Sequence, residues 1–168
     1  MGEEIVLDFQ HIAILSPLLH HVGEFGGGIT PWLVNLANGF VARGANVDIL
    51  VNAKAKTHLE YTPLDSSINL INQGYHKIEA LIRLTKYLRN THPNILMTAG
   101  YRYNTLGALA NLFARVDTKV YLSVHENVSE GSNDMKSWKR NLRFHGIRTL
   151  YSSADGVIAV SKGVADDL

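Results

Sequence analysis

Six short apolar runs rich in β-branched residues alternate along this chain with longer segments of helical period, a pattern that demands helices crossing over a parallel sheet. The runs are 11–15, 46–51, 68–71, 94–97, 119–124 and 156–160. Each is apolar almost throughout, as strands must be when both faces of their sheet are covered. Between the first two runs lies the best-marked helix. Thr30 is expected to cap it and Pro31 suits its first turn, while Leu33, Leu36, Ala37, Phe40 and Val41 recur at helical spacing before Gly44 stops it. A second helix is expected over 77–90, with Ile78, Leu81, Ile82, Thr85 and Leu88 on one face and His92-Pro93 closing it. Further helices are expected over 105–114, 136–153 and 162–168. No repeat or linker interrupts the order, so residues 1–168 read as a single α/β domain, Rossmann-like and doubly wound on a mostly parallel sheet.

Composition narrows the chemistry. With 16 Lys and Arg against 15 Asp and Glu the net charge is +1. No global basic field exists to hold nucleic acid, and any anion site must be local. Cysteine is absent, which excludes disulfides, thiolate metal sites and a cysteine nucleophile. The first ten residues are acidic where a secretory signal is basic, and no apolar run reaches the roughly 18 residues of a membrane span. A cytoplasmic protein is the expectation. The ending, a strand followed by a helix of one or two turns, reads as an interior point of a longer protein.

Glycines cluster in Gly23-Glu-Phe-Gly-Gly-Gly-Ile-Thr-Pro31, between the first strand and the first helix. In a doubly wound sheet ligands bind there, because the helix N-terminus offers free N–H groups and glycine admits a phosphate close to the backbone. A flexible turn is the bland alternative. The dinucleotide fingerprint fails, since its third glycine falls on Pro31, and the P-loop fails because Ile29 occupies the lysine position. What survives is a phosphate cradle of backbone N–H groups without a lysine.

The stretches GGGITPWLVNLANGFVARGANVDILV, SVHE and SSADGVIAVSKGVADDL occur in this order from residue 26 to residue 168. Together they resemble the N-terminal half of a family 4 glycosyltransferase of the GT-B fold, a resemblance that runs from His11 to Leu168. The resemblance implies that Gly27 and Gly28 face the diphosphate of a nucleotide-sugar, that His125 lies beside the transferred sugar, and that Ser161 follows the last strand near an inter-domain cleft. It implies a retaining hexosyl transfer to an acceptor hydroxyl in cell-envelope or polysaccharide biosynthesis. It implies no metal or other cofactor. Most of the donor site of such enzymes belongs to a second Rossmann domain that this sequence lacks, so the chain alone is expected to be inactive. Two rival readings are a stand-alone binding module for a phosphorylated ligand and another GT-B enzyme, such as a sugar-nucleotide epimerase.

The remaining polar groups have ordinary alternatives. His20 and His21 suit acceptor contact or plain exposure, and they lack the third ligand of a zinc site. Tyr101, Arg102 and Asn104 follow the fourth strand in an expected loop where they suit sugar hydroxyls, though the tyrosines equally suit the rim of a core. Lys136, Lys139, Arg140 and Arg143 recur on one side of the fourth helix, as on a solvated face or on a helix lying against anionic lipid.

Overall fold

The computed structural model describes residues 11–16, 29–51, 64–74, 76–125 and 137–168. Eleven elements follow in the order β1 (His11–Leu15), α1 (Ile29–Val41), β2 (Asn46–Val51), β3 (Asn69–Asn72), α2 (Lys77–Thr91), β4 (Ile95–Ala99), α3 (Tyr101–Ala114), β5 (Lys119–Val124), α4 (Ser137–Tyr151), β6 (Gly156–Ala159) and α5 (Lys162–Asp166). The strands form one parallel sheet in the order β3-β2-β1-β4-β5-β6. Pairing opens with His11 opposite Asn46 on one side of β1 and Ile12 opposite Ile95 on the other. The order reverses between β1 and β4, and in a doubly wound sheet the carboxyl edge at such a reversal is where a ligand crevice is expected.

Alternate strand residues feed two separate cores. On one face Ile12, Ile14, Val47, Ile49, Ile95 and Met97 pack against Leu33 and Ala37 of α1. On the other, Ala13, Leu15, Leu50, Leu96, Val120 and Leu122 pack against α2, α3 and α4 through Leu84, Leu88, Ala110, Ala114, Ile147 and Tyr151. Helices α2 to α4 therefore share one layer, and among the described helices α1 covers the opposite face. Each fully buried Leu or Ile in these cores contributes on the order of 2 kcal/mol.

Three local expectations are corrected. Helix α1 begins at Ile29, so Thr30 lies inside it and is not its cap. Helix α2 turns a different side inward: Leu84 and Leu88 are buried and Leu81 packs beside them, whereas Ile78 and Ile82 stand in solvent. Two apolar stripes overlap at Leu81 and Leu88, and the sheet takes the one that contains Leu84. The expected loop over 101–104 is the first turn of α3, because Gly100 holds φ +84° and turns the chain from β4 directly into the helix.

Candidate functional site

The carboxyl ends of β1, β4 and β5 converge where the strand order reverses. Gly100 donates its N–H to the Ser123 carbonyl at 3.1 Å, which ties the start of α3 to the end of β5. One residue past β5, the His125 ring lies with its Nε2 2.9 Å from the Ser123 hydroxyl oxygen. Trp32, from the first turn of α1, meets the same ring edge-on with centroids 4.8 Å apart and planes at 74°. Burial holds the His125 pKa below its ordinary value. The imidazole is therefore neutral at pH 7, able to donate from one nitrogen and accept at the other.

Beneath His125 lies a saturated polar network. Thr98 Oγ1 donates to Asn104 Oδ1 at 2.6 Å, and the Asn104 amide donates to the Ser123 carbonyl and to the Tyr151 hydroxyl oxygen, each at 3.0 Å. Asn104 is fully buried, so the expectation that it contacts an acceptor is corrected. An α3 that starts four residues early turns Asn104 under the sheet edge, where it joins β4, β5 and α4. Tyr101 and Tyr103 pack half-buried against the core, and burial raises the Tyr103 pKa. Arg102 alone of this group is exposed. Ser161 caps α5, accepting the Val164 N–H at 3.2 Å.

Gly27, Gly28, His20, His21 and Lys136 lie outside the described residues, as do the side chains of Lys139, Arg140 and Arg143. Among the described residues no three His, Asp or Glu side chains gather as a metal site. No described helix is long and apolar enough to cross a membrane.

The structure adds three residues that sequence reasoning passed over. Trp32 had signalled only a helix face, and Ser123 only a strand position. Ser16 follows β1 at the same edge, fully buried, and its hydroxyl finds no hydrogen-bond partner among the described residues. A buried polar atom of that kind calls for a partner. A serine directly after an apolar strand was the one available sign.

The family model of Glycosyltransferase Family 4 matches residues 26–168. No curated protein is significantly similar in sequence. Among solved structures, a sucrose-phosphate synthase from Thermosynechococcus elongatus superposes with a TM-score of 0.63 at 14% identity, over 88% of this chain and 41% of that one. The apo form of a lipopolysaccharide outer core galactosyltransferase, WaaB, gives 0.61 at 13% identity, over 93% and 41%. At such identities the likeness is one of fold, and the chain spans about two fifths of the length of either structure.

Proposed function

Because the chain belongs to glycosyltransferase family 4, we propose that it forms the acceptor-side half of a retaining enzyme that moves a hexosyl group from a nucleotide-sugar to an acceptor hydroxyl. The observation that carries this reading is His125, neutral, half-buried and held by Ser123 at the crevice of the sheet. A neutral imidazole suits the hydroxyls of a sugar better than it suits a bare phosphate. Helix α1 directs its N-terminus toward the same edge. Its partial positive charge favours the charge that grows on a departing nucleoside diphosphate, and Gly27 and Gly28, just before it, are the proposed cradle.

Arg102 is the proposed acceptor contact of the α3 turn, and His20 and His21 that of the preceding loop. Ser161 marks the rim toward a second Rossmann-like domain that supplies most of the donor site. That division agrees with the chain covering only part of its structural neighbours. Cell-envelope or polysaccharide biosynthesis in the cytoplasm is the setting proposed. No metal or other cofactor enters the proposed reaction.

The test is transfer from a panel of nucleotide-sugars by the complete enzyme with and without His125→Ala. Loss of transfer with an unchanged melting temperature supports the reading. Undiminished transfer removes His125 from it. The 168-residue chain alone should bind the same donors weakly, and micromolar affinity would instead favour a stand-alone binding module.

A further inference from the structure

Among the described residues three buried side-chain atoms lack a hydrogen-bond partner: Ser16 Oγ, Gln73 Oε1 and Asn111 Oδ1. The last two are carbonyl oxygens, which tolerate a spare lone pair, and the Asn111 amide donates to the Thr118 carbonyl. Ser16 differs, because its hydroxyl carries a proton that only an acceptor can satisfy. It is also fully buried. A hydroxyl left in that state costs the fold stability, and alanine would occupy the position without the cost.

The register of the sheet fixes which way Ser16 faces. Leu15 pairs with Thr98, so Ser16 lies level with Ala99, and Ala99 pairs with Ser123. Ile12 and Ile14 pack on the α1 side of β1, while Ala13 and Leu15 pack on the other. Continued by one residue, that alternation turns Ser16 toward α1. Ala99 belongs to the same side, and Ser123 alternates with Leu122 and Val124 of the opposite core. A row of small side chains, Ser16, Ala99 and Ser123, thus crosses β1, β4 and β5 on the face that α1 covers. The first turn of α1 reaches this edge, since Trp32 meets the ring of His125 there.

We propose that the Ser16 hydroxyl donates to a phosphate oxygen of the nucleotide-sugar, as the side-chain partner of the free N–H groups at the start of α1. The proposal rests on the reading of the chain as part of a glycosyltransferase, and it adds a contact that neither the glycine pattern nor the family resemblance singles out. The orphaned hydroxyl needs an acceptor, the helix N-terminus favours a negative charge, and a phosphate oxygen supplies both. Helix α1 contains no charged residue, so the helix itself brings no lysine or arginine to the anion. A hydroxyl bonds a charged oxygen more strongly than a neutral one. Enclosure points the same way: a group that reaches a buried hydroxyl must be compact, as a phosphate is and a hexose ring is not.

The complete enzyme is titrated calorimetrically with UDP, GDP and ADP, and the diphosphate bound best is compared with its nucleoside, in the wild type and in Ser16→Ala. The variant should bind the diphosphate about tenfold more weakly, bind the nucleoside equally well, and melt at the wild-type temperature or above it. A lower melting temperature would mean that the hydroxyl is spent inside the fold, and would overturn the proposal. So would an unchanged diphosphate affinity, an equal loss of nucleoside binding, or a defect confined to the KM of the acceptor, which would assign Ser16 to a sugar hydroxyl. A wild type that binds none of the three diphosphates overturns the transferase reading together with the proposal. Unaltered diphosphate affinity in Ser16→Ala, beside lost transfer in His125→Ala, overturns the proposal alone.

Discussion

Ser123 and His125 lie two residues apart at the end of β5, and the serine hydroxyl oxygen sits 2.9 Å from the histidine Nε2. Consecutive strand residues point to opposite faces, so i and i+2 share one. The Ser123 backbone is itself held by Gly100 and Asn104. The hydrogen bond fixes which ring nitrogen faces inward, and with it which nitrogen a substrate would meet. A hydroxyl pairs with either tautomer, so orientation is what the bond controls: nuclear Overhauser contacts between the His125 and Trp32 rings should be strong in the wild-type chain. Ser123→Ala should weaken them, and unchanged contacts would mean that the hydrogen bond does not orient the ring.

Burial lowers the His125 pKa from its ordinary 6.5. The unfolded chain therefore binds a proton that the folded chain resists, and stability falls as pH drops below about 6.5 through the lowered folded value. Replacing His125 with Gln removes that part of the slope. Melting curves from about pH 7.5 to pH 5 should converge for the two proteins at the acid end or favour the variant. A parallel pH dependence would show that the ring titrates freely.

Asp48, nearly buried in β2, accepts from Tyr87 at 2.6 Å and from Asn69 at 2.9 Å, and lies 2.9 Å from His11 Nε2. Burial alone would raise its pKa, but the hydrogen bonds from Tyr87, Asn69 and His11 outweigh that and hold it below 3.8. Burial, followed by the bond to Asp48, raises the Tyr87 pKa. Asp48→Asn should cost roughly 2–4 kcal/mol in urea unfolding at pH 7. A depressed carboxylate contributes above its unfolded pKa and loses that contribution as pH falls through the folded one. The gap between the two proteins should therefore narrow from about pH 5 downward, and a constant gap would show that the charge does not matter.

Asn104→Ala strands the Thr98 hydroxyl and withdraws a donor from the Ser123 carbonyl and the Tyr151 hydroxyl, all in a buried region. The expected loss is about 2–4 kcal/mol. Asn104→Asp should be no better, because a carboxylate has no donor for Ser123 and is buried without a cation. Either variant unfolding at the wild-type urea midpoint would show that the network is idle.

Gly107 lies on the inner side of α3, and a Cβ there would overlap Thr98 Cγ2. Alanine gains up to about 1 kcal/mol in helix propensity, while overpacking costs about 1–3 kcal/mol. Gly107→Ala should therefore destabilise on balance. In Gly107→Ala with Thr98→Ser the overlapping methyl is gone, and recovery of stability would locate the clash.

Much of the fold was legible in residues 11–15, 46–51 and 119–124, because strands buried on both faces have no freedom but to be apolar. The parallel sheet and the helix stopped by Gly44 followed from order and spacing, and the family from the resemblance of three stretches that the family model bears out. Less legible was whichever alternative the local pattern left equal. The stripe with Ile78 and Ile82 and the stripe with Leu84 both fit a helix, and only the sheet's position chose between them. Tyr101 to Asn104 read as a loop because polar and aromatic residues suit loops, until Gly100 at positive φ put them in a helix and turned Asn104 inward. Trp32 and His125 are 93 residues apart in the chain, and no local period records that a turn of α1 reaches the end of β5. The sequence by itself determined which segments are strands and, apart from the first turn of α3, which are helices, since burial on two faces writes itself into composition and period. Only the tertiary structure decided which side of each helix is wet and which polar groups are spent inside the fold, because those depend on what the chain packs against.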